Sequence, residues 1–269
     1  MKQPKKRVDA TTSALAPQGK LSRNVYLLLA VASFAAVFAV WALITNLGIV
    51  NADFMPTPQS TVQSAIELFT EQDFVEDIKI STYRVLMGFL ISAVVAVPLG
   101  LLVGAYAPVN ALIEPLMSFI RYLPATAFIP LFILWIGFDE SEMIAIIFMG
   151  SLALQIVMVE VDTQKVPHDL GEVTSTLGTK RSLVLWKVIL PASLPYILDS
   201  LRMILGWAWT YVVVAEMVGA SSGIGYMMIQ SERMMVVGNI FVGLLAIGLL
   251  GLVFDCLFKL LDKLLFRWK

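Results

Sequence analysis

The sequence predicts an all-α integral membrane protein with about six transmembrane helices. Apolar residues make up 58% of its 269 positions and charged residues only 14%. The mean hydropathy is +0.83, which is typical of a membrane protein. Charge-free runs, each long enough to cross a bilayer, cover residues 24–52, 85–113, 122–138, 143–159 and 234–254. Because backbone polar groups in lipid need internal partners, the spanning segments should be helices.

The N-terminal part predicts a cytoplasmic tail followed by an anchor. Residues 1–23 hold six basic side chains against one acidic side chain, Asp9, and positive flanks stay in the cytoplasm. We expect a basic tail there and a first transmembrane helix over residues 24–52, an uncleaved anchor rather than a signal peptide. Residues 53–80 carry six acidic side chains against Lys79 alone. This balance predicts an external amphipathic segment.

Two of the following spans contain residues that perturb or crowd a helix. The second span contains Gly100 and Gly104, a spacing that lets another helix approach closely, within the chain or across a dimer seam. The third contains Pro124 and Pro130. Proline removes a helix hydrogen bond and clashes with the preceding turn, so we expect a break just after Leu123. Broken helices at membrane depth are buried in protein or line a cavity, which makes this segment a candidate pathway wall.

A further span should cross near residues 195–219, although it contains Arg202 and Glu216. These residues are 14 positions apart, or about 21 Å along a helix, so each needs a partner on another span. Six crossings return the C-terminus to the cytoplasm. Charges at membrane depth are costly and often mark a pathway. Arg202 and Glu216 could therefore line a pathway or form structural ion pairs.

Arg121 stands beside the expected break and could offer a forked hydrogen-bonding group to a carboxylate, nitrate or sulfonate. The structural alternatives are an ion pair of Arg121 with Glu114 and an Arg84 side chain that snorkels to the membrane surface. The candidate pathway residues are Arg121, Pro124, Arg202 and Glu216.

A polar loop, residues 161–191, interrupts the apolar runs. Asp169 can cap a short helix with one apolar face, Gly178 breaks that helix, and a second helix should end at Leu190–Pro191. The counting of crossings places this loop in the cytoplasm. We expect a protruding knob that docks reversibly in a groove of a soluble protein.

The residues that other functions require are scarce. His168 and Cys256 are the only histidine and cysteine, which excludes a disulfide, a thiolate metal site and a histidine cluster. We predict no catalytic residue and no nucleic-acid partner. The chain lacks a G-x-x-x-x-G-K-[ST] phosphate loop, so any ATP must be bound and hydrolysed by another chain. A secondary transporter or channel remains an alternative, although no internal repeat stands out.

The polar loop resembles the E-A-A-x3-G-x9-I-x-L-P signature of permease subunits of bacterial ATP-binding-cassette importers. The matching residues are Glu172, Gly178, Leu190 and Pro191, and the signature's alanines and isoleucine are replaced by Val173, Thr174 and Val188. Six further segments resemble the nitrate, sulfonate, taurine and bicarbonate permease group: residues 120–125, 130–131, 133–138, 201–202, 215–216 and 222–226. The similarity covers roughly residues 55–265.

The resemblance implies a type I importer permease in a bacterial plasma membrane, with both termini cytoplasmic. Residues 81–265 would be the permease core, embedded in the lipid membrane. Its partners would be a second copy of this chain, two ATPase subunits that bind the ATP, and an external substrate-binding protein. The chain itself would hold no cofactor. Coupling to the ATPase would use residues 169–191, and within them Glu172, Val173, Thr174, Gly178, Leu190 and Pro191. The resemblance favours a small anion as substrate, with a pyrimidine precursor of thiamine as the alternative.

Overall fold

The structure is a computed structural model that describes residues 21–51, 53–167 and 181–266, and within these ranges it contains helices and turns but no strand. The chain divides into two compact units, Met1–Ser60 and Thr61–Lys269. The absence of strands from the described residues of both units confirms the predicted all-α class.

The first unit contains helix α1, Arg23–Asn46. Ser22 caps its start, because the Ser22 Oγ accepts a hydrogen bond from the Val25 N–H. The indole N–H of Trp41 donates to the Pro56 carbonyl over 3.0 Å. At 1.5 Å per residue, the 24 residues of α1 extend about 36 Å, enough to cross a bilayer.

The second unit is a helical bundle, and a short helix that begins at the unit boundary leads into it. The helices in chain order are α2 (Pro58–Glu71), α3 (Phe74–Ala105), α4 (Ala107–Ile120), α5 (Ile129–Ile136), α6 (Glu140–Gln164), α7 (Arg181–Val184), α8 (Leu190–Gly219), α9 (Ile224–Arg233) and α10 (Val237–Leu265). A 3-10 turn, Ala125–Phe128, precedes α5.

Helices α3 and α6 pack together along a stripe of small residues. The stripe repeats every four positions on α3: Gly88, Ser92, Ala96, Gly100 and Gly104. A Cβ added to its glycines would lie 2.6–2.7 Å from the Cβ of α6 residues, namely Ile147 for Gly88, Val159 for Gly100 and Thr163 for Gly104. The glycines thus serve packing within the chain, one of the two alternatives left open above. Residue numbers rise together along the two helices from one contact to the next, so α3 and α6 run parallel.

Parallel packing of α3 and α6 requires the chain between them to return across the bundle. That return is made by α4 and by the segment Ala125–Ile136, which meet at an angle of 83°. Helix α4 ends at Ile120, and Pro124, which has no N–H to donate, directly precedes the 3-10 turn. The predicted break is therefore confirmed. Five long apolar helices and this bent pair make six candidate spans in the described residues.

Two ends of the bundle can now be distinguished. Helices α3 and α6 begin at one end, which we call the Phe74 end, and finish at the other, which we call the Gln164 end. Helix α8 runs antiparallel to them, since Glu216, near its last turn, contacts Ser81, near the start of α3. A core of apolar side chains lies between these helices; its members include Val85, Phe89, Ile147, Ile204 and Trp209.

The expected end of a helix at Leu190–Pro191 is wrong. A π turn, Leu185–Ile189, joins α8 directly, and residues 185–219 form one continuous 35-residue helix. Within the π turn the Leu190 N–H bonds the Leu185 carbonyl. This wider turn makes room for the proline ring, which would otherwise clash with the preceding turn.

The helix bounds differ from the ranges that charge alone predicts. Helix α1 ends at Asn46 rather than near residue 52, and α3 begins at Phe74, within the segment 53–80. Two charged side chains in the first three turns of α3, Asp77 and Arg84, bond neighbouring elements, as described below. A charge-free run therefore does not fix where a helix begins or ends.

Replacing one glycine of the α3 stripe with a larger residue should destabilise the bundle. We expect Gly100→Val to lower the free energy of unfolding by about 1–3 kcal/mol, the usual cost of overpacking. The control is Gly248→Val, because a Cβ on Gly248 of α10 meets nothing within 4 Å. Thermal unfolding of the two purified variants in detergent checks this. Equal midpoints would contradict the described packing.

Candidate functional site

A buried ion pair joins α3 and α8 at the Phe74 end. Arg84 is 1% exposed and Glu216 is fully buried, and Arg84 Nη1 donates to Glu216 Oε1 over 2.7 Å. The same guanidinium donates through Nε to Glu140, the first residue of α6, over 2.7 Å, and through Nη1 to the Ser222 carbonyl over 2.8 Å. One arginine therefore links three helices and the turn before α9.

The Glu216 carboxylate accepts further hydrogen bonds. Ser81 Oγ donates to Oε1 over 2.7 Å, and the Gly225 N–H donates to Oε2 over 2.8 Å. Ser81 Oγ in turn accepts from the Ile224 N–H over 2.9 Å. A buried charge pair is tolerated only when its remaining hydrogen-bonding groups are satisfied, and this one meets that condition.

Two glycines let the turn between α8 and α9 approach Glu216. Gly223 has φ +108°, a conformation that side chains with a Cβ rarely adopt, and a Cβ there would collide with the Glu216 carboxylate. A Cβ on Gly225 would collide with the Val213 carbonyl oxygen. The Gly223 N–H donates to Asp77 Oδ1 over 2.6 Å. The Ser-Gly-Ile-Gly sequence thus serves close backbone contact with α3 and α8.

Sequence reasoning missed the role of Arg84. The alternative in which Arg84 snorkels to the surface is wrong, because the side chain is buried among the three helices. The sequence pattern indicates this role only weakly, because Arg84 stands alone at the edge of a charge-free run. The partner of Glu216, which had to lie on another span, is this arginine.

A cavity of about 360 Å³ lies beside the break in the third span. Residues around the break line it together with α6 and with Tyr211 of α8: Ile120, Arg121, Tyr122, Leu123, Ala125, Met149, Gly150, Ala153, Leu154 and Tyr211. A Cβ on Gly150 would lie 2.7 Å from the Tyr211 ring. The glycine therefore brings Tyr211 close to α6 at this cavity.

Arg121 is the one charged residue among those that line this cavity. Its guanidinium lies 5.1 Å from the centre of the Tyr122 ring, and Nη2 approaches the Tyr122 hydroxyl to 3.4 Å. It forms no ion pair with any described residue. In particular, the Glu114 carboxylate accepts a hydrogen bond from Ser118 over 2.7 Å and is not paired with Arg121. The guanidinium is exposed and available to an anion.

The other candidate pathway residues lie apart from this cavity or at its edge. Pro124 is exposed at the break, between two lining residues. Arg202 lies 3.6 Å from Asp199 on its own helix and 3.6 Å from Asp255 on α10. Glu216 belongs to the buried network. The structure thus brings Arg121 and Pro124 together and separates both from Arg202 and Glu216.

The coupling residues are described only in part. Leu190 is half-buried and Pro191 is exposed at the start of α8, towards the Gln164 end. Glu172, Val173, Thr174 and Gly178 lie outside the described residues. No group of three or more potential metal ligands occurs in the ranges that the structure covers.

Comparison with known proteins agrees with this arrangement. A family model described as "Binding-protein-dependent transport system inner membrane component" matches residues 96–267. A Brucella abortus protein named as a probable ABC transporter permease is 38% identical, over 88% of this chain and 94% of its own length. A Bacillus subtilis permease named for aliphatic sulfonates transport, SsuC, is 35% identical over 87% of this chain and 85% of its own.

Other similarities are more distant. The bicarbonate transport system permease CmpB of Synechococcus elongatus is 30% identical over 70% of this chain and 68% of its own length. Among solved structures, a chain of the MetNI methionine ABC transporter in an inward-facing conformation superposes with a TM-score of 0.59 at 17% identity, over 69% of this chain and 94% of that chain. At this identity the likeness concerns the fold alone. The chain belongs to the family of binding-protein-dependent transport system inner membrane components, the permease subunits of ATP-binding-cassette importers.

Proposed function

We propose that this permease forms the pathway for a small anion of the nitrate, sulfonate, taurine or bicarbonate type. The observation that carries the proposal is the Arg121 guanidinium in the cavity beside the broken span, which forms no ion pair with any described residue. A guanidinium presents a planar fork of donors that fits carboxylate, nitrate and sulfonate oxygens.

The other cavity residues suit brief contact with an anion. The Tyr122 ring beside the guanidinium holds it by cation–π attraction, and Tyr211 supplies a second hydroxyl. The apolar remainder of the lining offers no further charge. One positive charge should favour entry of an anion without trapping it, as conduction requires. An aminopyrimidine precursor of thiamine, the alternative substrate, has no anionic group for Arg121 to bind.

ATP hydrolysis on separate ATPase subunits would drive the transport, and this chain would bind no nucleotide. Residues 169–191 would dock in the ATPase through Glu172, Val173, Thr174 and Gly178, as the resemblance implies. The continuous helix from Leu185 to Gly219 supports this proposal. This helix begins within residues 169–191, contributes Tyr211 to the cavity and reaches Glu216 in the buried network. Movement at the Gln164 end would therefore reach the pathway.

The charges favour a cytoplasmic Gln164 end and an external Phe74 end. The last helix finishes at the Gln164 end with Lys259 and Lys263, whereas the Phe74 end carries the acidic side chains of α2 and of the first turn of α3. Basic residues stay on the cytoplasmic side. Both termini would then be cytoplasmic in a bacterial inner membrane.

A second copy of this chain would complete the pathway. The broken span exposes large apolar side chains on both of its arms: Leu112, Leu116, Phe119, Leu134, Trp135 and Phe138. An exposed apolar face beside a polar cavity suits a partner whose own broken span closes the other side. We propose a homodimer with one central pathway.

Changes in the docking segment should uncouple the importer. We expect Glu172→Ala or Gly178→Leu to reduce uptake about tenfold or more, equivalent to about 1.4 kcal/mol of lost coupling, while the chain still inserts and dimerises. Uptake and ATP hydrolysis by the assembled transporter are measured together. The control is Glu71→Ala, which removes an exposed carboxylate of α2, outside the docking segment. Full uptake by both docking variants would refute this coupling site.

Partner identification tests the assembly itself. The tagged chain is purified gently from native membranes, and its partners are identified by mass spectrometry. We expect an ATPase with a phosphate loop at equal stoichiometry, together with an external binding protein whose ligand can then be determined. Recovery of the chain alone from several detergents would favour a self-sufficient transporter or channel.

A further inference from the structure

A second cavity, of about 350 Å³, lies at the Phe74 end among α2, α3, α9 and α10. It shares no lining residue with the Arg121 cavity. Two carboxylates, Glu67 and Asp77, line it with three amides, those of Gln72, Gln230 and Asn239. None of its lining residues is basic. The cavity therefore offers negative charge and hydrogen-bond acceptors without a cation of its own.

The fold leaves polar groups of this cavity without partners. Asn239 is only 6% exposed, yet its side-chain amide makes no hydrogen bond to any described residue. Asp77 accepts from the Gly223 N–H through Oδ1, while its Oδ2 has no partner in the described chain. Neither group is among the described polar atoms that are closed off from solvent, so both are open to the cavity. The unpartnered amide indicates a ligand group, independently of the two acidic side chains.

We propose that this cavity binds a cationic nitrogen group, the guanidinium or ammonium of an arginine or lysine side chain that the substrate-binding protein presents. The volume is near the lower end of the range for ligand sites, so it suits one side chain rather than a folded segment. Glu67 and Asp77 neutralise the cation, and the Asn239 carbonyl oxygen accepts one of its hydrogen bonds. The identity of the partner rests on the proposed function, because it requires the Phe74 end to be external; the preference for a cation does not.

Two capped peptides, Gly-Gly-Arg-Gly-Gly and Gly-Gly-Gln-Gly-Gly, test the cavity in titrations of the full chain in lipid nanodiscs. We expect the arginine peptide to bind about tenfold more tightly, since charged hydrogen bonds contribute more than neutral ones. Glu67→Gln should weaken its binding about threefold, as for a partly exposed ion pair. Asn239→Leu, which keeps the number and branching of the side-chain heavy atoms, should weaken it about tenfold.

The matched control is Glu71→Gln. Glu71 is an exposed carboxylate one turn further along α2 and does not line the cavity, so this variant should bind the arginine peptide as the original chain does. Equal binding of the two peptides, or no binding of either, overturns the proposal. Equal weakening by Glu67→Gln and Glu71→Gln overturns it too, because the charge effect would then be non-specific.

Uptake by cells that produce the chain separates this proposal from the importer function. If the peptides are not distinguished but uptake of a small anion persists, the cation site is refuted and the importer stands. If the arginine peptide binds selectively in a chain that supports no uptake, the cation site stands and the proposed function is refuted.

Discussion

Replacing Arg84 with alanine should lower the free energy of unfolding by about 3–5 kcal/mol, the cost of leaving a buried charge without its partner. The stranded charge is the Glu216 carboxylate, which is fully buried and would keep only neutral donors. The half-exposed Glu140 would lose its partner as well, with a smaller effect because solvent can reach it. Thermal unfolding in detergent and the amount of chain in the membrane measure the loss.

Two comparisons identify the cause of that loss. Glu216→Gln keeps an oxygen for the Gly225 N–H, so it should destabilise less than Glu216→Ala, which strands that donor as well. Lys79→Ala breaks an exposed ion pair with Glu76 and should change the unfolding free energy by at most about 1 kcal/mol. If Arg84→Ala were no more harmful than Lys79→Ala, the buried network would not hold the helices together.

Arg121→Gln should reduce uptake of the anion about tenfold to a hundredfold, because it removes charged hydrogen bonds of about 1.5–3 kcal/mol. The side chain is exposed and unpaired among the described residues, so the chain should still fold and reach the membrane. Arg121→Lys keeps the charge but loses the fork and should give intermediate uptake. Uptake is measured per molecule of chain in the membrane.

Arg202→Gln is the matched control for this prediction. Arg202 lies between Asp199 and Asp255, away from the cavity, so its loss should lower stability and leave uptake per inserted molecule unchanged. The opposite result, with uptake lost in Arg202→Gln and kept in Arg121→Gln, would indicate that the pathway lies near α8 and α10 and not at the Arg121 cavity.

The spans and the break were accessible to sequence reasoning because both depend on local chemistry. Charge-free runs reflect the cost of charge in lipid, and Pro124 breaks its helix through its own missing N–H. The small residues Gly100 and Gly104 predicted a close helix contact, although not which helix provides it. The partner became clear only from the parallel packing of α3 on α6.

The buried network could not be predicted in the same way. Arg84 and Glu216 are 132 residues apart, and no periodicity relates positions on different helices. Their pairing follows from the order in which the spans pack. Helix ends were missed for a related reason: Asp77 and Arg84 of α3 bond other parts of the bundle, and the π turn before Pro191 keeps α8 continuous. Charge and proline rules treat each segment alone.

Under the proposed function, this permease imports a small anion with the energy of ATP hydrolysed by a separate subunit. Its most direct test is uptake of labelled taurine, an alkanesulfonate, bicarbonate and nitrate into proteoliposomes that contain the chain, its ATPase and its binding protein. We predict that one of these anions accumulates, only when ATP and the binding protein are both present, and that Arg121→Gln reduces this accumulation. The proposed function would be contradicted if the chain alone accumulated an anion, or if none of the four anions accumulated.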